Sequence, residues 1–153
     1  MMAVAASGVL AASTEHVIPR YEKLRTADVR VAVLVPTVVP ADGKIYADGT
    51  PDSSGGYEVD LGTRPDCTGG ACSAGYITGV PTSSHVAPAG YHPVKLTDGG
   101  VGYYLNHGCG ANCDGSFELL FFRANAKYSI FLNGGPLDQA LLIESGLKKL
   151  GSH

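Results

Sequence analysis

FELLFFRANAKYSIFL, residues Phe117–Leu132, is the stretch on which the fold turns. Two apolar, aromatic-rich runs, Phe117–Arg123 and Lys127–Leu132, flank Ala124-Asn125-Ala126, which is the pattern of a β-hairpin. Just upstream, Val94–Thr97 and Val101–Leu105 flank Asp98-Gly99-Gly100, a second hairpin signal. Further out the pattern repeats. Tyr57–Leu61 alternates apolar with acidic residues, enters a Cys loop and leaves as Gly75–Gly79, while Val101–Leu105 enters another Cys loop and leaves as Phe117–Phe122. Both read as strand, stapled loop, strand. Residues 80–93 form a proline-rich crossing loop between them.

The flanks complete the expectation. Val29–Val35 alternates as a strand that Pro36 and Pro40 stop, and Lys44–Ala47 adds a short one within the Asp/Gly/Ser-rich stretch 41–56. Pro19 marks the first turn of a short helix over about 19–26. Pro136 opens a helix to Leu150, with Leu137, Ala140, Leu141, Ile143, Leu147 and Leu150 on its apolar face and Lys148 and Lys149 at its C-terminal end. The predicted fold class is α+β: an antiparallel sheet of about six or seven strands, a C-terminal helix packed on one face and a short N-terminal helix.

Length and composition set the bounds. The 153 residues match one domain. The 21 Gly and 9 Pro stop short of low-complexity disorder, and the apolar content suffices for a core. Residues 1–13, MMAVAASGVLAAS, form an apolar leader, read as a signal remnant, a disordered leader or a short packing helix. Residues 14–150 are the single domain, and 151–153, Gly-Ser-His, read as a cloning remnant. Net charge is −3, with the acid concentrated in 41–118. No basic stripe with interleaved aromatics is present, so nucleic acid is not the expected partner. No apolar run reaches the ~18–20 residues of a membrane span.

Cys67 and Cys72 stand in CTGGAC, Cys109 and Cys113 in CGANC. Local pairing, Cys67–Cys72 and Cys109–Cys113, is the simplest reading, since Gly69, Gly70 and Gly110 permit the tight bends it needs. Cross-pairing between the loops is the alternative. Loops this short gain little chain-entropy stability, so local bridges would shape the loops more than hold the fold. The rival is a Cys₄ zinc site; against it, the tight C-x₂-C knuckle is missing. Disulfides imply export.

The order VLVPTVVP (33–40), YEVDLGTRPDCTGGACSAGYITG (57–79), VKLTDGGVGYYLNHGCGANCDGSFELLFF (94–122), KYSIFL (127–132) and an apolar helix resembles a group of small exported bacterial proteins, largely cyanobacterial and often lipoproteins. The resemblance covers about 30–150. It implies an exported domain with paired-Cys loops and carries over no catalytic residue. A lipoprotein needs a Cys directly after its signal, and none stands near residue 13. The order of sheet and terminal helix is also similar to envelope domains attached to anti-sigma factors, at the level of fold alone.

Candidate chemistry is sparse. His85, His92 and His107 lie in or beside loops, and His107 with Cys109 suggests a mixed metal site. The spacing His85-x₆-His92 matches no standard ligand pair, so surface histidines are the plainer reading. Ser83 or Ser84 beside His85 lacks the nucleophile elbow of a hydrolase. Asp42, Asp48 and Asp52 lack the spacing of a calcium loop and read as turn aspartates. Tyr76, Tyr91, Tyr103 and Tyr104, with His107, are the candidate binding residues. Consecutive Tyr103 and Tyr104 must face opposite sides of the sheet, and an outward tyrosine beside Gly75, Gly79 or Gly102 serves either as a platform or as packing. The expected function is therefore an exported, non-enzymatic domain that presents disulfide-stapled loops to a protein or glycan at the cell envelope. No metal or cofactor is expected. A self-associating extracellular subunit and a small zinc protein are the alternatives.

Overall fold

The computed structural model describes residues 11–12, 16–41, 43–67, 69–107, 116–134 and 136–151. Cys109, Cys113, Asp42, most of the leader, and Ser152 and His153 lie outside them.

The strands are β1 (Ala11–Ala12), β2 (Val17–Arg20), β3 (Leu34–Pro36), β4 (Val39–Pro40), β5 (Ile45–Pro51), β6 (Tyr57–Gly62), β7 (Ser73–Pro81), β8 (His92–Lys95), β9 (Val101–His107), β10 (Ser116–Arg123), β11 (Ala126–Leu132) and β12 (Leu147–Lys149). The helices are α1 (Glu22–Thr26) and α2 (Leu137–Ser145). One eight-stranded sheet has the order β2-β5-β6-β7-β11-β10-β9-β8, and two small two-stranded sheets pair β1 with β4 and β12 with β3. Among the described residues of the large sheet only the β2–β5 pair is parallel. The fold is thus α+β and dominated by antiparallel pairing, with more strands in its main sheet than the sequence predicts.

Alternation along the strands separates two faces. Ile45, Ala47, Tyr57, Val59, Leu61, Ile77, Tyr128, Ile130, Phe117, Leu119 and Phe121 are buried on one face. They join Leu24, Val31, Leu34, Val35, Val39, Ala140 and Ile143, which the 21–41 segment and α2 supply as a second layer. Gly79 lies between the two largest of these side chains. A Cβ there would stand 2.4 Å from Tyr57 Cε1 and 2.9 Å from Tyr128 Cε1, so only glycine lets both rings close over the strand. Both phenols then reach the layer above. Tyr57 Oη accepts from Leu34 N–H at 2.8 Å and donates to Leu34 C=O at 2.9 Å, and Tyr128 Oη donates to Ala32 C=O at 2.6 Å.

Three expectations are corrected. Val29–Val35 is not a full strand: only Leu34–Pro36 pairs, and its partner is β12. The phenols of Tyr57 and Tyr128 serve the backbone there as a neighbouring strand would. The predicted helix over 19–26 gives way to strand β2 through Pro19, followed by a single turn, Glu22–Thr26; Pro19 is tolerated because β2 is an edge strand. The terminal helix ends at Ser145, not Leu150. Gly146 follows it against Thr37 and Val38, and Leu147–Lys149 run on as β12. Lys148 and Lys149 therefore pair with Val35 and Leu34 and do not cap a helix. The apolar spacing at Leu147 and Leu150 suits a helix, but Gly146 was the stop signal.

Candidate functional site

The other face of the large sheet carries acidic and polar side chains on β5 and β6 and chiefly aromatic and apolar ones on β7, β11, β10 and β9. Register places Arg20, Asp48, Asp60, Tyr76, Phe131, Glu118 and Leu105 side by side, one per strand from β2 to β9. At ~4.8 Å per strand this row is about 29 Å long. A different loop meets each end of it.

At the β2–β6 end the loop between β6 and β7 folds back on the sheet. Cys67 and Cys72 are joined by a disulfide with S–S 2.00 Å and Cα–Cα 5.8 Å. The local pairing holds for these two, and a bridged pair supplies no thiolate for zinc. The bridge rests on Gly62, where a Cβ would lie 2.8 Å from Cys67 Cβ. Thr63 N–H donates to Cys72 C=O at 2.9 Å, and Arg20 Nη1 reaches up to donate to Pro65 C=O at 2.6 Å. Between loop and sheet lies a cavity of about 120 Å³, lined by Arg20, Tyr46, Asp48, Asp60, Arg64 and Cys67 among others. Arg64 pairs with Asp66 at 3.3 Å in an exposed ion pair.

The carboxylates beside the cavity crowd one another. Burial, and then Asp48, hold the Asp60 carboxyl above its usual range; burial, then Asp60 and Asp52, do the same for Glu58. Asp52 is different. It closes the β5–β6 turn, its Oδ1 accepting from Ser54 Oγ at 2.6 Å, Ser54 N–H at 2.8 Å and Gly56 N–H at 3.0 Å, and the Ser54 hydroxyl holds it low. Asp48 and Asp52 thus have separate surroundings. Among the described residues no group of three or more His, Cys, Asp or Glu could hold a metal ion.

At the other end, residues 82–91 must cross from β7 to β8, which lie four places apart in the sheet. Thr82 N–H donates to Asn125 C=O at 2.8 Å. His85 stacks on Phe122 at 5.1 Å with its Nε2 2.6 Å from Ala124 C=O, so Nε2 carries the proton and donates. Tyr91 Oη donates to Glu118 Oε1 at 2.6 Å, and His107 Nε2 lies 3.2 Å from the same oxygen. Burial, and then the bond to Glu118, push the Tyr91 phenol up to about 12.

The candidate binding residues divide accordingly. Tyr76, Tyr91 and His107 come together around Phe131 and Glu118. Tyr76 and Phe131 stack at 4.9 Å and 13°, and His107 lies 5.9 Å from Phe131. Rings on adjacent strands at this spacing pack against one another. Tyr103 is on the same face, edge-on to Phe122 at 6.4 Å. Tyr104 is on the opposite face, stacked on Phe117 at 5.6 Å and tilted against His92 at 5.4 Å. Sequence reasoning missed Arg20, Tyr46, Asp60, Arg64 and Glu118. The alternation in Tyr57–Leu61 put Glu58 and Asp60 on one face; the strand order that brings Arg20 beside them left no local signal.

Fold and site together define a two-layer α+β domain whose second sheet face is part acidic and part aromatic, with a disulfide-walled cavity at its acidic end. No protein-family model, curated protein or solved structure matches the chain.

Proposed function

We propose that the chain is an exported, non-enzymatic binding domain that offers the stapled loop and the acidic part of the sheet face beside it to a ligand at the cell envelope. The observation that carries this reading is the seating of the Cys67–Cys72 bridge on Gly62, which makes the loop one wall of the cavity over Arg20, Asp48 and Asp60. A bridge closing so short a loop adds little chain-entropy stability, so its use is to hold a shape. Such bridges persist in oxidising compartments, which supports export. Among the described residues no helix is long and apolar enough to cross a membrane.

Binding is favoured over self-assembly through the sheet. Both edge strands contain proline, Pro19 in β2 and Pro93 in β8, beside Arg20 and Lys95. A missing N–H and a nearby cation both discourage strand addition. The test is co-sedimentation of the oxidised protein with isolated envelope material, repeated after reduction and with Cys67→Ser/Cys72→Ser. Retention of the oxidised form with loss in the other two is expected. Reduced thiols at Cys67 and Cys72 in protein taken from its native cells, or retention indifferent to reduction, would remove the proposal.

A further inference from the structure

We infer that the cavity beneath the stapled loop is a seat for a small α-amino acid in its zwitterionic form, of the size of glycine or alanine; the inference rests on the binding reading above. Size sets the first limit. About 120 Å³ is the space of roughly four water molecules. That is well below the ~300–1,000 Å³ of pockets for drug-sized ligands. Only a ligand of a few heavy atoms is enclosed.

Charge sets the second. The cavity has both signs on its walls, Arg20 and Arg64 against Asp48 and Asp60. Arg20 spends Nη1 on the Pro65 carbonyl, which fixes the guanidinium at the loop and leaves its other N–H groups to donate. Asp48 and Asp60 are direct cross-strand partners, and among the described residues neither has a cation within ion-pair distance. Two adjacent carboxylates are relieved by an ammonium placed between them, and a guanidinium lining the same cavity pairs with a carboxylate. With Arg64 already paired to Asp66, a simple anion satisfies only Arg20 and a simple amine only the aspartates. A free α-amino acid carries both groups on one carbon and satisfies both walls. The raised affinity of Asp60 for protons agrees with a site built to take a positive group.

The experiment is isothermal titration of the oxidised full chain with glycine and L-alanine, run beside acetate and methylammonium. Saturable binding of an amino acid is expected, with acetate and methylammonium at least about tenfold weaker. Asp60→Asn and Arg20→Gln should each weaken amino-acid binding about tenfold, while Glu58→Gln, on the same face but outside the cavity, leaves it unchanged. Circular dichroism confirms that each variant folds. Acetate binding as tightly as glycine, or no saturable binding of either amino acid, overturns the inference. If the oxidised protein still sediments with envelope material when neither amino acid binds, this inference alone fails; reduced thiols in the native protein would instead strike the reading beneath it.

Discussion

Tyr57 links the two layers through a single oxygen. It is fully buried, and its hydroxyl serves both the N–H and the C=O of Leu34. Burial holds the phenol well above its ordinary range, so it remains neutral and able to donate. Tyr57→Phe keeps the ring and strands two buried backbone groups, which should cost about 2–3 kcal/mol. Urea unfolding should show a lowered midpoint with an unchanged slope. Gly79 belongs to the same cluster: Gly79→Ala drives a methyl into the Tyr57 and Tyr128 rings and should cost about 2 kcal/mol by the same measurement. A cost near zero would mean that the rings can move apart, against the close packing described.

At the scale of elements, two tethers matter. Glu144 of α2 is buried and accepts from Thr97 Oγ1 at 2.8 Å and Thr97 N–H at 3.3 Å, while Arg123 at the end of β10 pairs with it at 3.2 Å. One carboxylate thereby ties the β8–β9 turn, the sheet and the helix together. Arg123 is 38% exposed in its side chain and can rehydrate, so the ion pair itself is discounted. Glu144→Gln should cost about 1–2 kcal/mol, mostly through weaker bonds to Thr97. Faster amide exchange at Thr97 is the local check, and unchanged protection would deny the tether. The crossing segment 82–91 is held differently, by Thr82 and His85 at its start and Tyr91 at its end. Tyr91→Phe removes the bond to Glu118. Proteolytic cutting near the exposed Val86 should then quicken, with global stability lowered by no more than about 1 kcal/mol.

Over the whole molecule the uneven charge becomes a dependence on pH. Glu58 and Asp60 are held above their usual range in the folded chain, so the fold binds more protons there than the unfolded chain does. Their contribution favours folding at low pH and is lost as pH rises through the folded values. Asp52, held low by its turn, has the opposite sign and loses its contribution as pH falls. The double variant Glu58→Gln/Asp60→Asn should therefore melt higher than the parent at neutral pH. Relief of the cross-strand repulsion between Asp48 and Asp60 sets the gain at about 0.5 kcal/mol. As pH falls through the raised folded values of the parent carboxyls, the difference should shrink toward zero. A variant less stable than its parent at neutral pH would show that these carboxylates have partners that stabilise their charge.

Periodicity and turn chemistry determined a good deal on their own. The hairpins at Asp98-Gly99-Gly100 and Ala124–Ala126, the strands Tyr57–Leu61 and Gly75–Gly79, the crossing of 80–93 and the α+β class were legible because alternation and turn residues act over a few positions. Cys67 and Cys72 were legible as a pair for the same reason: five residues of glycine-rich chain bring them together whatever the rest does. Tertiary structure alone decided where Val17–Arg20 and Leu147–Lys149 pair, because each is short and finds its partner far along the chain. It alone decided the row from Arg20 to Glu118 as well. Which strands lie side by side follows from burying the largest shared apolar face, and that choice depends on every element at once, while each polar side chain opposite simply arrives where its strand is placed.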